Sequence, residues 1–333
     1  MIINRLMICC LVVFVFSLKV TAQYFPSNEW EIHSNDEEIG WSFSKLKIAE
    51  SYNKTIKTSA VLIIYKVKIL SSWENIDKKY MCHSIRKSFL SALYGIYVDN
   101  GKIDISKSLR ELKIDDIQPL SNTEKTATIQ HLLKARSGIY HPAAYEIAGS
   151  DLYKPKRGKF KPGENWHYNN WDFNTLSTIF ERETNKKIFE AFEKDIAIPI
   201  KMQDFDREQD TYYHYEKDRS QHPAYPFEMT ASDMARFGLL ILNKGNWNGQ
   251  QIISKNWIKE STASYSESGY GYMWWIQDKP YKMIIAKGVG GHSIDIIPDK
   301  DLVIVIRTNT YKREGISQEQ KKRLLELIIN SKI

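Results

Sequence analysis

At 333 residues, 42% hydrophobic and 26% charged, the chain is long enough for one large domain or two small ones with a sizeable core. Its ordinary composition excludes global disorder. Lys plus Arg exceeds Asp plus Glu by seven, but the charges are interspersed, so a solvated basic surface explains the excess better than a nucleic-acid interface.

The N-terminus reads as a targeting segment. Arg5 supplies the positive charge, residues 6–18 are apolar apart from Ser17, and Val20-Thr21-Ala22 fits a small-residue cleavage site. This predicts a signal peptide over 1–22, a mature domain over 23–333 and a secreted or periplasmic location. The apolar run is too short to span a bilayer comfortably, so no stable membrane insertion is expected after cleavage. Of three cysteines, Cys9 and Cys10 leave with the leader. Cys82 then remains alone, which excludes an intrachain disulfide in the mature protein. Buried packing explains Cys82 better than nucleophilic chemistry.

Apolar residues at Ile39, Phe43 and Leu46 predict a helix over 35–51. Residues 59–65 read as a buried strand, with a second short strand over 67–70. A strongly apolar helix is predicted over 84–98, stopped by Asn100-Gly101. Shorter helices follow over 128–134 and 172–185. Thr230 with Asp233 resembles a capping pair for a helix that ends at Gly245. Strand-like runs return over 270–277, 281–286, 293–297 and 302–307, and 317–330 is a last amphipathic helix. The order predicts an α+β fold: an antiparallel sheet built from both chain ends, flanked by helices, with a mostly helical lobe inserted over about 100–265.

Ser84-Ile85-Arg86-Lys87 opens the apolar helix. Ser-x-x-Lys alone is weak evidence. It recurs as Ser44 with Lys47 and Ser51 with Lys54, within or at the end of a surface helix where it needs no explanation. At a buried helix N-terminus the same pair gains free N–H groups and a positive dipole end, and residues three apart share a face. Desolvation would then lower the Lys87 pKa and supply a neutral amine as base. Tyr168 belongs to the one Tyr-x-Asn among nineteen tyrosines. It sits on a loop after Pro162-Gly163, where a phenol can shuttle a proton. Asn170 is placed to bind a substrate amide or orient Lys87. Gly288-Val289-Gly290-Gly291 follows a strand and permits close approach of a ligand, with the Val289 and Ser84 N–H groups as a candidate oxyanion hole. Each feature has a bland counterpart: a helix cap, a buried phenol, a glycine turn.

Together these segments resemble the serine β-lactamase and penicillin-binding-protein superfamily, in its class C-like branch and nearest to the aminohexanoate-dimer (nylon-oligomer) hydrolase type. The likeness covers most of the mature chain. It includes Ser84 to Phe89, Ala135 to Pro142, Pro162 to Trp171, Thr230 to Gly238, Tyr270 to Trp275 and the Gly288 cluster. The resemblance implies a β-lactamase/transpeptidase-like fold and an acyl-enzyme mechanism. Ser84 would be the nucleophile, Lys87 and Tyr168 the general base and acid, and the Ser84 and Val289 amides the oxyanion hole. It implies no metal or organic cofactor, and a small-molecule or short-peptide substrate bound near Asn170, Gly288, Gly290 and Gly291, with His292 either lining the same pocket or purely structural. β-Lactamases usually carry Lys-Thr-Gly at the third motif; here Ala286-Lys287-Gly288 stands in its place. That departure favours an esterase or short-amide hydrolase over a β-lactamase or D-Ala-D-Ala peptidase.

Other classes fit less well. Gly291-His292-Ser293-Ile294-Asp295 approaches the Gly-x-Ser-x-Gly elbow but ends in Asp and runs into strand-like sequence. Eight histidines form no His-Glu-x-x-His cluster. A non-catalytic receptor for cell-wall peptides or β-lactams would keep the cleft, but a full Ser, Lys and Tyr set argues for turnover. Trp166, Trp171, Trp274 and Trp275 suit a packed core first and a ligand cleft second.

Overall fold

The two ends of the described chain meet in one sheet. The computed structural model describes residues 25–34, 38–147 and 149–333, so the leader expected at 1–22 lies outside them. Strands β1 (Ala60–Tyr65) and β2 (Lys68–Glu74) come early, whereas β7 (Trp275–Gln277), β8 (Met283–Lys287), β9 (Ser293–Ile297) and β10 (Leu302–Arg307) come late. Their order is β2-β1-β10-β9-β8-β7, antiparallel throughout. Two short ladders lie between them in sequence: β3 (Tyr80–Met81) with β4 (Glu228–Met229), and β5 (Asn246–Trp247) with β6 (Gln250–Gln251).

Alternation along the strands feeds two cores. On one face Val61, Ile63, Ile304, Ile306, Met283 and Ile285 pack with helices α1 (Phe43–Asn53) and α9 (Gln318–Ile329). The opposite face carries Leu62, Ile64, Val303, Val305, Ile294 and Ile296 into the main core. Both faces are covered, so β1 and β10 read as unbroken apolar runs rather than as alternating ones. Asp295 points from β9 to the α9 side, where Lys321 Nζ meets it at 2.9 Å. The free edge of β2 is capped at Ile69: Ile69 N donates to Glu31 O, and His33 N donates to Ile69 O, both at 2.9 Å.

The regular elements between β2 and β7 are mainly helices, joined by long irregular loops. This segment holds α2 (Arg86–Asp99), α3 (Ile129–Leu133), α4 (Asn170–Thr184), α5 (Ile188–Phe192), α6 (Arg207–Asp210), α7 (Ala231–Leu242) and α8 (Lys255–Ser261). Helix α2 is buried almost all round, with α4, α5 and α8 against it. Helix α7 lies across β9 and β10, joining the insertion to the sheet. Among the described residues no helix is long and apolar enough to cross a membrane.

Some expected boundaries shift for visible reasons. The first helix starts at Phe43, because the Ser42 side chain caps it and Gly40 turns the chain at φ +81°; residues 35–37 of the expected helix lie outside the described ones. The strand expected over 270–277 keeps only its last three residues. Gly271 N donates to Trp274 O, Met273 takes φ +61°, and Tyr270, Tyr272 and Trp274 turn into the main core instead of alternating across the sheet. Asp233 does not reach back in a capping box. Its carboxylate accepts from the backbone N–H groups of Gln203, Asp204 and Phe205.

Candidate active site

The chain enters α2 through the β3–β4 ladder. Cys82 N donates to Phe227 O at 2.7 Å. The Arg307 guanidinium, fully buried, donates to Tyr80 O at 2.5 Å. His83 then adopts φ +49°, and Ser84 sits in the single 3₁₀ turn His83–Ile85 that leads into the helix. Cys82 is buried as the sequence suggested, and burial pushes its thiol up to about 12.

Lys87 is the second residue of α2. Its Nζ donates to Ser84 Oγ at 2.8 Å and to Tyr168 Oη at 2.6 Å. Thus residues 84, 87 and 168 form one hydrogen-bonded group, the contact expected from the Ser-x-x-Lys spacing together with the Tyr-x-Asn pattern. Tyr168 is held by its neighbours: Asn169 caps α4 by accepting from Trp171 N, and the amide side of Asn169 meets Asp172 Oδ1. Asp172 in turn accepts from Ser137 Oγ at 2.5 Å. The Tyr168 ring packs between Phe173 (centroids 5.0 Å apart) and Trp275 (5.7 Å, stacked). Lys87 Nζ lies over the Tyr168 and Phe173 rings, at 4.8 and 5.0 Å.

This packing sets the electrostatics. Lys87 is 2% exposed; burial, reinforced by the Arg86 charge, holds its amine well below the ordinary lysine range. Burial raises the Tyr168 phenol, and the Ser84 hydrogen bond and the Arg86 charge oppose that rise. Burial also takes the His83 imidazole down to about 4, helped by Arg307, Arg86 and Lys87. A neutral amine bonded to both a hydroxyl and a phenol can accept one proton and pass another.

The glycine cluster closes the other side. A Cβ on Gly288 would fall 2.8 Å from Cys82 O, so glycine there lets the end of β8 lie against the segment that carries Ser84. Gly290 and Gly291 take φ +84° and +94° and turn the chain, leaving Val289 46% exposed between them and β8. His292 differs from a pocket-lining residue. It is 1% exposed, its ring lies 5.4 Å from that of His83, and its Nδ1 faces Thr308 N. It supports the turn from beneath. Asn170 also differs from one expectation: its Nδ2 donates to Tyr145 O at 2.9 Å and takes no part in holding Lys87. The tryptophans divide. Trp171 and Trp274 are core, whereas Trp166 and Trp275 are half-buried beside Tyr168 and Tyr270. A groove of about 550 Å³ lies along β7, with Trp275, Lys287, Ser264 and Glu267 in its walls.

Sequence reasoning missed Arg86. It is 1% exposed, stacks on Tyr225 at 4.5 Å and Tyr145 at 5.6 Å, and donates to Asn174 Oδ1. The available signal was a guanidinium inside an otherwise apolar helix. Among the described residues no group of three or more His, Cys, Asp or Glu side chains is arranged to hold a metal ion.

An antiparallel sheet joining both ends of the chain, a helical insertion, and Ser-x-x-Lys at the head of a buried helix define the β-lactamase/transpeptidase-like class of α+β proteins. The Beta-lactamase family profile matches residues 71–327, and the chain belongs to that family. It is similar to the 6-aminohexanoate-dimer hydrolase of Paenarthrobacter ureafaciens, 21% identical over 286 residues that cover 74% of this chain and 71% of that one. Among solved structures, a Bacillus anthracis protein provisionally named a 6-aminohexanoate-dimer hydrolase superposes with a TM-score of 0.68 at 20% identity, over 92% of this chain and 87% of that one. An octameric penicillin-binding-protein homologue from Pyrococcus abyssi gives a TM-score of 0.64 at 17% identity, over 86% and 76% respectively.

Proposed function

We propose that this member of a hydrolase family is a secreted serine hydrolase that cleaves an ester or amide of a small molecule or short peptide through an acyl-enzyme. Ser84 Oγ attacks the carbonyl carbon and its proton passes to the Lys87–Tyr168 pair. Tyr168 returns a proton to the leaving alcohol or amine. The oxyanion is held by the Ser84 and Val289 amides, and water then attacks the acyl-enzyme to release the acid and regenerate the Ser84 hydroxyl. The observation that carries this reading is the Lys87 amine bonded at once to Ser84 Oγ and Tyr168 Oη.

The first test is covalent labelling with a fluorophosphonate. Wild type is expected to label, and Ser84→Ala to lose both labelling and turnover; undiminished labelling of the variant overturns the assignment of the nucleophile. Substrate class is read from a panel of p-nitrophenyl esters, a linear 6-aminohexanoate dimer, a chromogenic cephalosporin and a D-Ala-D-Ala peptide. Ala286-Lys287-Gly288 lacks the third-motif hydroxyl, so the first two are expected to turn over faster than the last two. Covalent capture of the cephalosporin without release would instead support a binding receptor.

A further inference from the structure

Arg86 directly precedes Lys87, and nothing in the roles above uses it. Its guanidinium is buried, yet among the described residues no carboxylate pairs with it. Its one hydrogen bond runs from Nη2 to a neutral amide oxygen, Asn174 Oδ1, at 3.2 Å. Nε and Nη1 have no protein partner. The rings of Tyr225 and Tyr145 offer their faces instead, which attract a cation without cancelling its charge. A buried cation without a counter-ion is costly, and a methionine could fill the same space without that cost. Arg86 therefore does not read as a packing residue.

We propose that Arg86 is a positioning residue: its uncancelled charge keeps the Lys87–Tyr168 pair in the proton-accepting form that the serine hydrolase reading requires. This inference rests on that reading. A fixed positive charge favours proton loss from every neighbouring group, amine or phenol alike. The sign therefore does not depend on which of the two accepts the Ser84 proton. The Arg86 charge acts downward on Lys87, Tyr168 and His83.

The other groups around the pair do not replace it. From the 3₁₀ turn come Ser84, which is hydrogen-bonded to the pair, and His83, taken down to about 4 by burial first and so neutral near pH 7. Helix α4 contributes Asn174 and Asp172, whose carboxyl burial raises well above its ordinary value. The loop ahead of α4 brings Tyr145, and the segment ahead of β4 brings Tyr225, both with phenols raised by burial. On the sheet side stand Tyr270, again raised by burial, and Lys287, which lies behind the Trp275 ring at 4.7 Å.

The test is the pH dependence of the second-order rate of fluorophosphonate labelling, from pH 5 to 10, for wild type, Arg86→Met and Arg86→Lys. Arg86→Met is expected to move the acidic limb upward by about one pH unit, which is about tenfold slower labelling on that limb, and to recover at alkaline pH. Arg86→Lys keeps the charge and the limb, and Arg86→Met melts no lower than wild type at neutral pH. If Arg86→Met does not fold, Asn174→Asp gives the same reading, because it sets a counter-charge on Nη2. That variant also loses the Asn174 bond to Ala144 O, but a lost contact lowers the rate at every pH and does not move the limb. An unmoved limb in a folded variant, or equal loss at every pH in Met and Lys variants, overturns the role of Arg86. Wild type that is not labelled at Ser84 overturns the hydrolase reading itself.

Discussion

Lys87 carries its chemistry in its surroundings rather than in its spacing. Lys47 stands three residues after Ser44 as Lys87 does after Ser84, but its side chain is 56% exposed and pairs with Glu50. The two differ in burial, which a four-residue motif does not encode. Burial of Lys87 has a measurable consequence for stability. In the folded protein the amine is neutral at pH values where the unfolded chain, with its ordinary lysine value of about 10.4, still binds a proton. The unfolded state then holds more protons, so stability rises with pH through that window and the contribution saturates above it. Wild type is expected to gain on Lys87→Met between pH 8 and pH 10, by up to about 1.4 kcal/mol per pH unit. Urea denaturation of both proteins at three pH values measures this; a constant difference between them removes the depressed amine from the account.

At the scale of elements, the site depends on how closely β8 meets the entry to α2. Gly288 sets that distance, with Cys82 O where its side chain would stand. Gly288→Ala is expected to cost about 1–3 kcal/mol of stability, because the neighbour is backbone and cannot rotate away. Turnover should fall further than stability, since the displaced segment carries Val289. Thermal melting together with ester hydrolysis checks this, and full activity in a folded variant would show that the contact is slack. The elements most legible in the sequence were those with strong periodicity. β1, β9, β10 and the helices headed by Thr230 and Ser317 lie close to where pattern and caps put them, whereas the first helix begins eight residues later than its apolar spacing suggested. Residues 270–274 failed as a strand because long-range packing overrode local preference: Tyr272 N is taken by Ser261 O and Met273 N by Leu133 O, partners that no local window contains. The depth of His292 was hidden for the same reason, since its ring packs beside that of His83 on a distant element.

Over the whole molecule, the sheet closes across the length of the chain, with Ala60 opposite Arg307 and Tyr65 opposite Leu302. The insertion then hangs between β2 and β7, and the fold class was readable from that order of strands and helices. What the order did not reveal was that α7 crosses the sheet and binds the two parts together. The face away from the insertion relies on α1 and α9. A chain ending after Ser317 would uncover Trp41, Ile63, Ile304 and Ile306, which is expected to abolish soluble, cooperatively folded protein. Soluble yield and binding of a hydrophobic dye report it, and a sharp melting transition in the truncated chain would refute it. The strap formed by Glu31 and His33 along β2 has a different consequence. It occupies backbone groups that would otherwise offer a rail for foreign strands, while β7 at the opposite border is three residues long and is followed by Pro280. The strap at Ile69 on one border and the three-residue strand on the other both shorten the edge open to pairing, which opposes fibrillar stacking between copies even though the central strands are almost wholly aliphatic.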